Sequence, residues 1–126
     1  MTAGAAEEFA ASWYAAWNAH DLEAVMDHWA PDAVFTSPYV AQLMDEPSGT
    51  VSGHDELRRY WAIGLEANPD LHFEPRSLLI GHGSVVLSYH NHRGVECAEV
   101  VVLGSDGRGI RGYAHYWPAV EVPAAT

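Results

Sequence analysis

No lysine occurs anywhere in the 126 residues, and six arginines oppose seventeen acids, for a formal net charge of -11. A chain without a lysine amine excludes Schiff-base and pyridoxal-phosphate chemistry, and a phosphate-binding P-loop as well. The acid excess repels a phosphate backbone, so nucleic acid is not an expected partner. Its plainer reading is a surface that keeps the protein in solution. A single cysteine, Cys97, cannot form an internal disulfide and fits a reducing compartment, so a cytoplasmic protein is expected. No apolar run approaches the roughly 18 residues that a membrane span needs. The opening MTAGAAEEF carries Glu7 and Glu8 where a secretory leader would be basic. Neither a membrane nor a leader is expected.

What the sequence does contain is apolar patterning, at 48% hydrophobic residues, enough for one domain over 1–126 with a core around a modest cavity. Phe9, Trp13, Ala16, Trp17 and His20 recur at helical spacing and predict a helix over 5–19. Asp21 is placed to cap a second helix with the stripe Leu22, Val25, Met26 and Trp29, ended by Pro31 and Asp32. AVFTSPYV reads as a first strand broken at Pro38. After a loop rich in turn formers, Ser52 and Asp55 suggest a capping box opening a third helix with the stripe Leu57, Tyr60, Trp61, Gly64 and Leu65. Turns at GHG, HRG and SDGRG then separate strands near 71–81, 84–91, 95–103 and 109–118. Helices first and a strand meander after them predict an α+β fold.

Three stretches, FAASWYAAWNAHDLEAVMDHWAPDAVFTSP, VSGHDELRRYW and the final GIRGYAHYW, together resemble the nuclear transport factor 2-like superfamily, in its SnoaL-like and ketosteroid-isomerase-like branch. The resemblance implies three N-terminal helices packed on a curved, mostly antiparallel sheet around a conical pocket. It also implies dimerisation through the outer face of that sheet. Asp21 and Asp32 fall where the pattern has acids beside helix ends, and capping is the reading for both.

The isomerases of this branch pair a base on the first strand with two donors to an oxyanion, one of them a buried neutral acid. Carried over by position, their helix-one tyrosine falls on Trp13, their base on Ser37 and their second acid on Glu99. A serine cannot take a carbon acid's proton unaided, so only Glu99 keeps a suitable side chain. The cyclases resemble instead a pocket with an acid on the last strand. Here GIRGYAHYWP offers only His115 or Tyr116. Alternation puts Gly112, Ala114 and Tyr116 on one face and Arg111, Tyr113, His115 and Trp117 on the other. Analogy with the isomerases points the first set inward, and a one-residue slip would turn His115 inward instead.

Trp13, Trp17, Phe35 and Trp61 are expected to wall the cavity or to pack in the core beside it. His28 flanks the second helix's stripe, either as a hydrogen-bonded core histidine or as a pocket acid-base group. His90 and His92, two apart on one strand with Glu96 beyond the turn, resemble part of a cupin metal motif or form a solvated hairpin end. No metal or other cofactor is expected. Glu99, stripped of water in an apolar cone, should hold its proton and donate to an oxyanion beside Tyr116, leaving His28 or His115 to carry protons; otherwise it pairs with Arg93 or Arg111.

These readings lead to a small cofactor-independent enzyme doing acid-base chemistry of an isomerase, cyclase, dehydratase or hydrolase kind. Its substrate would be a small apolar molecule in the conical pocket. A non-catalytic binding protein using the same pocket is the alternative, and a metal-dependent enzyme resting on the two strand histidines is a third. Val100 and Val102 form an apolar row on the strand face opposite Glu99, and an open apolar sheet face calls for a cover. A second copy of the chain is the expected cover. Sedimentation at micromolar concentration should therefore give twice the chain mass, and a strictly monomeric mass would refute it.

Overall fold

The computed structural model describes residues 1–118. Helix α1 (Ala3–Asn18) starts where the Thr2 side chain accepts from the Ala5 N–H, and it buries Ala6, Ala10, Trp13, Tyr14, Ala16 and Trp17. Helix α2 (Leu22–Met26) is capped by Asp21, whose carboxylate accepts from the Ala24 N–H at 3.1 Å. Strand β1 (Trp29–Thr36) follows. The short α3 (Pro38–Leu43) and β2 (Thr50–Ser52) come next, and then α4 (Gly53–Ala67). Strands β3 (Glu74–Ile80), β4 (Ser84–His90), β5 (Glu96–Leu103) and β6 (Gly109–Tyr116) complete the order.

The six strands form one sheet in the order β2-β1-β6-β5-β4-β3. Every neighbouring pair is antiparallel except β1 with β6, which run parallel. That one parallel contact brings the helical first half of the chain back onto the meander. The helices cover the inner face of the sheet. Val85, Leu87 and Tyr89 on β4, Cys97, Glu99 and Val101 on β5, and Gly112 and Ala114 on β6 are all buried there. The α+β fold implied by the resemblance is therefore present, with helices packed on a curved and mostly antiparallel sheet.

Several local expectations are overturned. Helix α2 stops at Met26, and Trp29 opens β1 instead of closing the helical stripe, because it pairs with Gly109 of β6. Tertiary pairing overrides a helical spacing that the residues themselves satisfy. Pro31 and Asp32 do not end a helix; they are exposed residues of β1 at a register shift between Trp29 and Val34. Strand β2 reaches only Val34 to Thr36, so the missing N–H of Pro31 faces no partner on that side. Asp32 caps nothing. The first strand does close before Pro38, but Ser37 and Pro38 go on to start α3, which the sequence reading did not foresee, with Ser37 as N-cap and Pro38 in the first turn. At α4 the Ser52 N–H is taken by Glu56 at 2.7 Å, not by Asp55, and the Ser52 side chain makes no capping bond.

Two glycines of β6 are required by one side chain. A Cβ on Gly112 would lie 2.5 Å from the Trp29 ring and 2.7 Å from Phe35, and one on Gly109 would lie 2.7 Å from Trp29. The six-membered edge of the Trp29 indole (Cε3, Cζ3, Cη2) lies against the two glycines, and this close approach seats β1 on β6. Gly112 and Ala114 do face inward, as expected, but Trp29 and Phe35 cover Gly112, and neither residue reaches the cavity described below.

Candidate functional site

Between α1, α3, α4 and the inner sheet face lies a cavity of about 260 Å³. Its buried wall is aromatic. Phe73 stacks on Trp13 with centroids 5.7 Å apart and meets Tyr89 at 4.3 Å, while Trp61 meets Trp17, Trp29 and Phe35 at 5.8, 5.3 and 5.3 Å. Phe73 is held in this arrangement by Asn18, which accepts from its N–H at 2.7 Å and donates to its carbonyl at 3.0 Å. The indole N–H groups of Trp13, Trp17 and Trp29 are buried without a hydrogen-bond acceptor. Each such orphan costs about 1–3 kcal/mol, a cost accepted here for a wall of rings.

Glu99 projects from β5 into this setting and is 6% exposed. Among the described residues its one hydrogen-bond partner is the Tyr89 hydroxyl, which donates to Oε1 at 3.4 Å. Burial pushes the carboxyl up from 4.5 to about 8, against a smaller downward pull from the Tyr89 hydroxyl. Neither Arg93 nor Arg111 pairs with it: Arg93 donates to Asn68, and Arg111 is exposed on the outer face. Among the described residues the carboxyl has no cation paired with it. Around it, burial and then the Glu99 charge raise the phenol of Tyr89, and burial heads the causes that raise Tyr60 and Tyr116, so all three stay protonated hydrogen-bond donors. Burial also lifts the Cys97 thiol to about 12, leaving it without nucleophilic thiolate.

Of the expected site residues, Glu99, Tyr116, Trp17, Phe35 and Trp61 line the cavity. Trp13 does not; it is 1% exposed and packs behind Trp17 and Phe73. Ser37 is buried behind the wall, where its Oγ accepts from the Tyr60 hydroxyl at 3.3 Å and the Tyr39 N–H at 3.2 Å. It orients a tyrosine and meets no ligand. His28 is the hydrogen-bonded histidine: its Nε2 lies 2.7 Å from Ser12 Oγ, its Nδ1 2.8 Å from the Ala24 carbonyl, and its ring meets Phe9 edge-on. His115 is exposed on the outer sheet face, because the alternation of β6 holds without a slip. Neither histidine can reach Glu99's surroundings, and the expectation that they carry protons there is overturned.

The two histidines of HNHRGVE separate. His90 ends β4 on the side away from Tyr89, whereas His92 lies in the following turn at the cavity mouth. Among the described residues no group of three potential metal ligands comes together. Residues that the sequence reading passed over include Tyr60, Tyr89, Tyr39, Asn68, Asn91 and Cys97, all on the cavity wall. For Tyr89 and Cys97 a signal was available. Strand alternation from Glu99 puts Cys97 on its face, and the pairing of Leu87 with Glu99 across β4 and β5 puts Tyr89 beside it.

The SnoaL-like domain family matches residues 10–119. The chain belongs to this family. Among solved structures, a SnoaL-like protein of unknown function from Burkholderia thailandensis E264 shares 39% identity over 92% of this chain and 97% of that one, with a TM-score of 0.88. A protein described as a candidate polyketide cyclase from Sinorhizobium meliloti shares the fold at 18% identity, TM-score 0.71, over 86% of this chain and 94% of that one. A candidate isomerase of the SnoaL-like family from Agrobacterium tumefaciens C58 does so at 18% identity and TM-score 0.71, over 90% and 98%. No curated protein matches the chain. None of the helices in the described residues is long and apolar enough to cross a membrane.

The buried carboxyl of this SnoaL-like chain makes stability depend on pH in a definite direction. The folded form binds the Glu99 proton up to about pH 8 and the unfolded form releases it near 4.5. Between those values unfolding sheds a proton, so this contribution is complete below the lower value and lost as pH rises to the upper one. Glu99→Gln, which keeps the shape and an acceptor for Tyr89 but cannot ionise, should gain on the natural protein by roughly 1 kcal/mol per pH unit across that window and level off above it. Urea unfolding of both at pH 5, 6.5 and 8 measures this; parallel curves would rule out the buried acid.

Proposed function

We propose that this SnoaL-like protein is an enzyme in which Glu99 itself gives and retakes a proton on a small, largely apolar molecule held in the cavity. The observation that carries the proposal is a carboxyl pushed up to about 8 by burial, at the wall of a cavity whose other ionisable side chains are four tyrosines, a buried thiol, His92 and Arg93. Groups tuned toward neutral pH by desolvation inside a cavity are what acid-base catalysis uses. His28 is bonded to Ser12 and His115 is exposed on the outer sheet face, so Glu99 carries the proton itself.

The step is redox-neutral. Protonated Glu99 delivers its proton to a substrate oxygen or carbon as a π-bond or ring bond shifts. The carboxylate left behind keeps the Tyr89 hydrogen bond and recovers a proton from the substrate's other end. Tyr116 on the cavity wall supplies a hydroxyl donor that helps to orient a substrate oxygen. Isomerisation and cyclisation fit this balance directly, and the fold relatives described as a cyclase and an isomerase lie in the same direction. A homodimer formed through the outer sheet face, with Val86, Val100 and Val102 half-buried on it, is part of the same proposal.

The test uses a ketone with an acidic C–H, 2-tetralone, whose exchange in D2O is followed by NMR with the natural protein, Glu99→Gln and Glu99→Ala. Proton transfer by Glu99 predicts that both variants lose about 10² to 10⁴-fold and that the natural rate, steady below pH 8, falls on its alkaline side. Retention of most exchange by Glu99→Gln would reduce Glu99 to a hydrogen-bond donor. Tight 2-tetralone binding with no exchange in any form would make the protein a binder.

A further inference from the structure

The cavity has two chemically different ends. Its inner wall is buried: Trp17, Phe35, Tyr60, Trp61, Phe73, Tyr89 and Glu99. Its mouth is formed by exposed residues, among them Gln42, Leu43, His92 and Arg93. The distribution of charge is the unexpected feature. The chain has seventeen acids and six arginines. The cavity is lined by one acid, Glu99, which holds its proton near neutral pH, and by one arginine. On a surface with almost three acids to each arginine, the mouth reverses the sign.

Arg93 is also held in place rather than left to wander. It sits in the turn between β4 and β5, where the Asn91 Oδ1 accepts from the N–H groups of Arg93 and Val95 at 2.9 and 3.0 Å. Gly94 completes the turn at a φ of 76°, which favours glycine. The Arg93 Nη2 donates to Asn68 Oδ1 at 3.3 Å, and Asn68 Nδ2 donates to the Gly64 carbonyl at the end of α4. That fixes the guanidinium across the mouth by one of its five N–H donors. No carboxylate of the described residues forms an ion pair with it, in contrast with Arg58 on Glu23 and Arg108 on Asp106.

We propose that Arg93, with His92 beside it, receives an anionic oxygen group at the outer end of the ligand, so that the natural substrate is an apolar, ring-sized molecule bearing a carboxylate. The proposal rests on the cavity being the substrate site, as in the preceding section. The ring body would pass between Trp17, Trp61 and Phe73 toward Glu99. The carboxylate would stay at the rim, where the guanidinium's remaining donors meet it and water still solvates it. Glu99 favours this orientation, because a neutral acid at the inner end does not repel an anion, whereas an aspartate or glutamate at the mouth would.

The experiment compares 1-naphthaleneacetate with its neutral isostere 1-naphthaleneacetamide by calorimetry at pH 7 and low salt. The natural protein should bind the acetate about tenfold more tightly, the size expected of a charge-assisted contact at a partly solvated rim. Arg93→Gln should remove that preference while leaving the amide within about twofold, and Arg93→Lys should retain part of it. Added salt should shrink the preference in the natural protein without any substitution. Equal affinity for the two probes, or an Arg93→Gln loss that is the same for both, overturns the anion site and reduces Arg93 to a tie between the turn and α4. That result leaves the Glu99 proposal standing. Failure of both probes to bind at millimolar concentration overturns the anion site and the cavity reading together.

Discussion

A carboxyl group enclosed by aromatic rings, with one weak hydroxyl donor and no cation, stays in a folded chain by keeping its proton. Glu99 is in that position, and much of the architecture around it serves the same end. Strand β5 delivers it to the inner face, the aromatic wall buries it, and the Tyr89 hydroxyl is its one partner among the described residues. An arginine beside it would have made an ordinary buried ion pair with a depressed pKa. The chain places its arginines elsewhere, and the nearest on the cavity wall is tied to Asn68. The energetic burden of a buried acid and three orphan indole N–H groups falls on one small region. A carboxyl perturbed by burial at the wall of a cavity is what a functional site is expected to show.

The wall is possible because of how β1 meets β6. Trp29 occupies space that side chains on Gly109 and Gly112 would fill. Its ring then supports Trp61 and Phe35, which form one side of the cavity. The parallel β1–β6 contact, the glycines and the tryptophan cluster form one packing unit. A change at Gly112 would reach the cavity wall through Trp29 and Phe35 without touching the cavity itself.

The sequence made the long elements legible where their patterning and packing agree: α1, α4, β4 and β5 each bury a regularly spaced row of residues on one face. It misled where a local pattern fitted two outcomes. Leu22, Val25, Met26 and Trp29 fit a helical stripe, yet the pairing of Trp29 with Gly109 pulls the last of them into a strand. Ser37 and Pro38 fit a broken strand and also a helix start, and the hydroxyl's bond to the Tyr39 N–H decides for the helix. In the site, Glu99 was legible only through the family resemblance, carried over by position, and the same analogy chose the inward face among the two that strand alternation offers on β6. The proton carriers were not. His28 is satisfied by Ser12, sixteen residues away, and a partner that distant in the chain leaves no pattern in the sequence. Tyr60 and Tyr89 were missed because an aromatic at a core position reads the same whether its hydroxyl faces a carboxyl or packs in the interior.

The most direct test of the account is the titration of Glu99 itself. With glutamate labelled at its carboxyl carbon, NMR over pH 3 to 10 should resolve one resonance with a midpoint near 8, absent from Glu99→Gln, while the other glutamates titrate in the ordinary range about 4 to 5. A spectrum in which every glutamate carboxyl has lost its proton by about pH 5.5 would show that Glu99 is ionised in the folded protein, and the neutral acid at the centre of this account would be wrong.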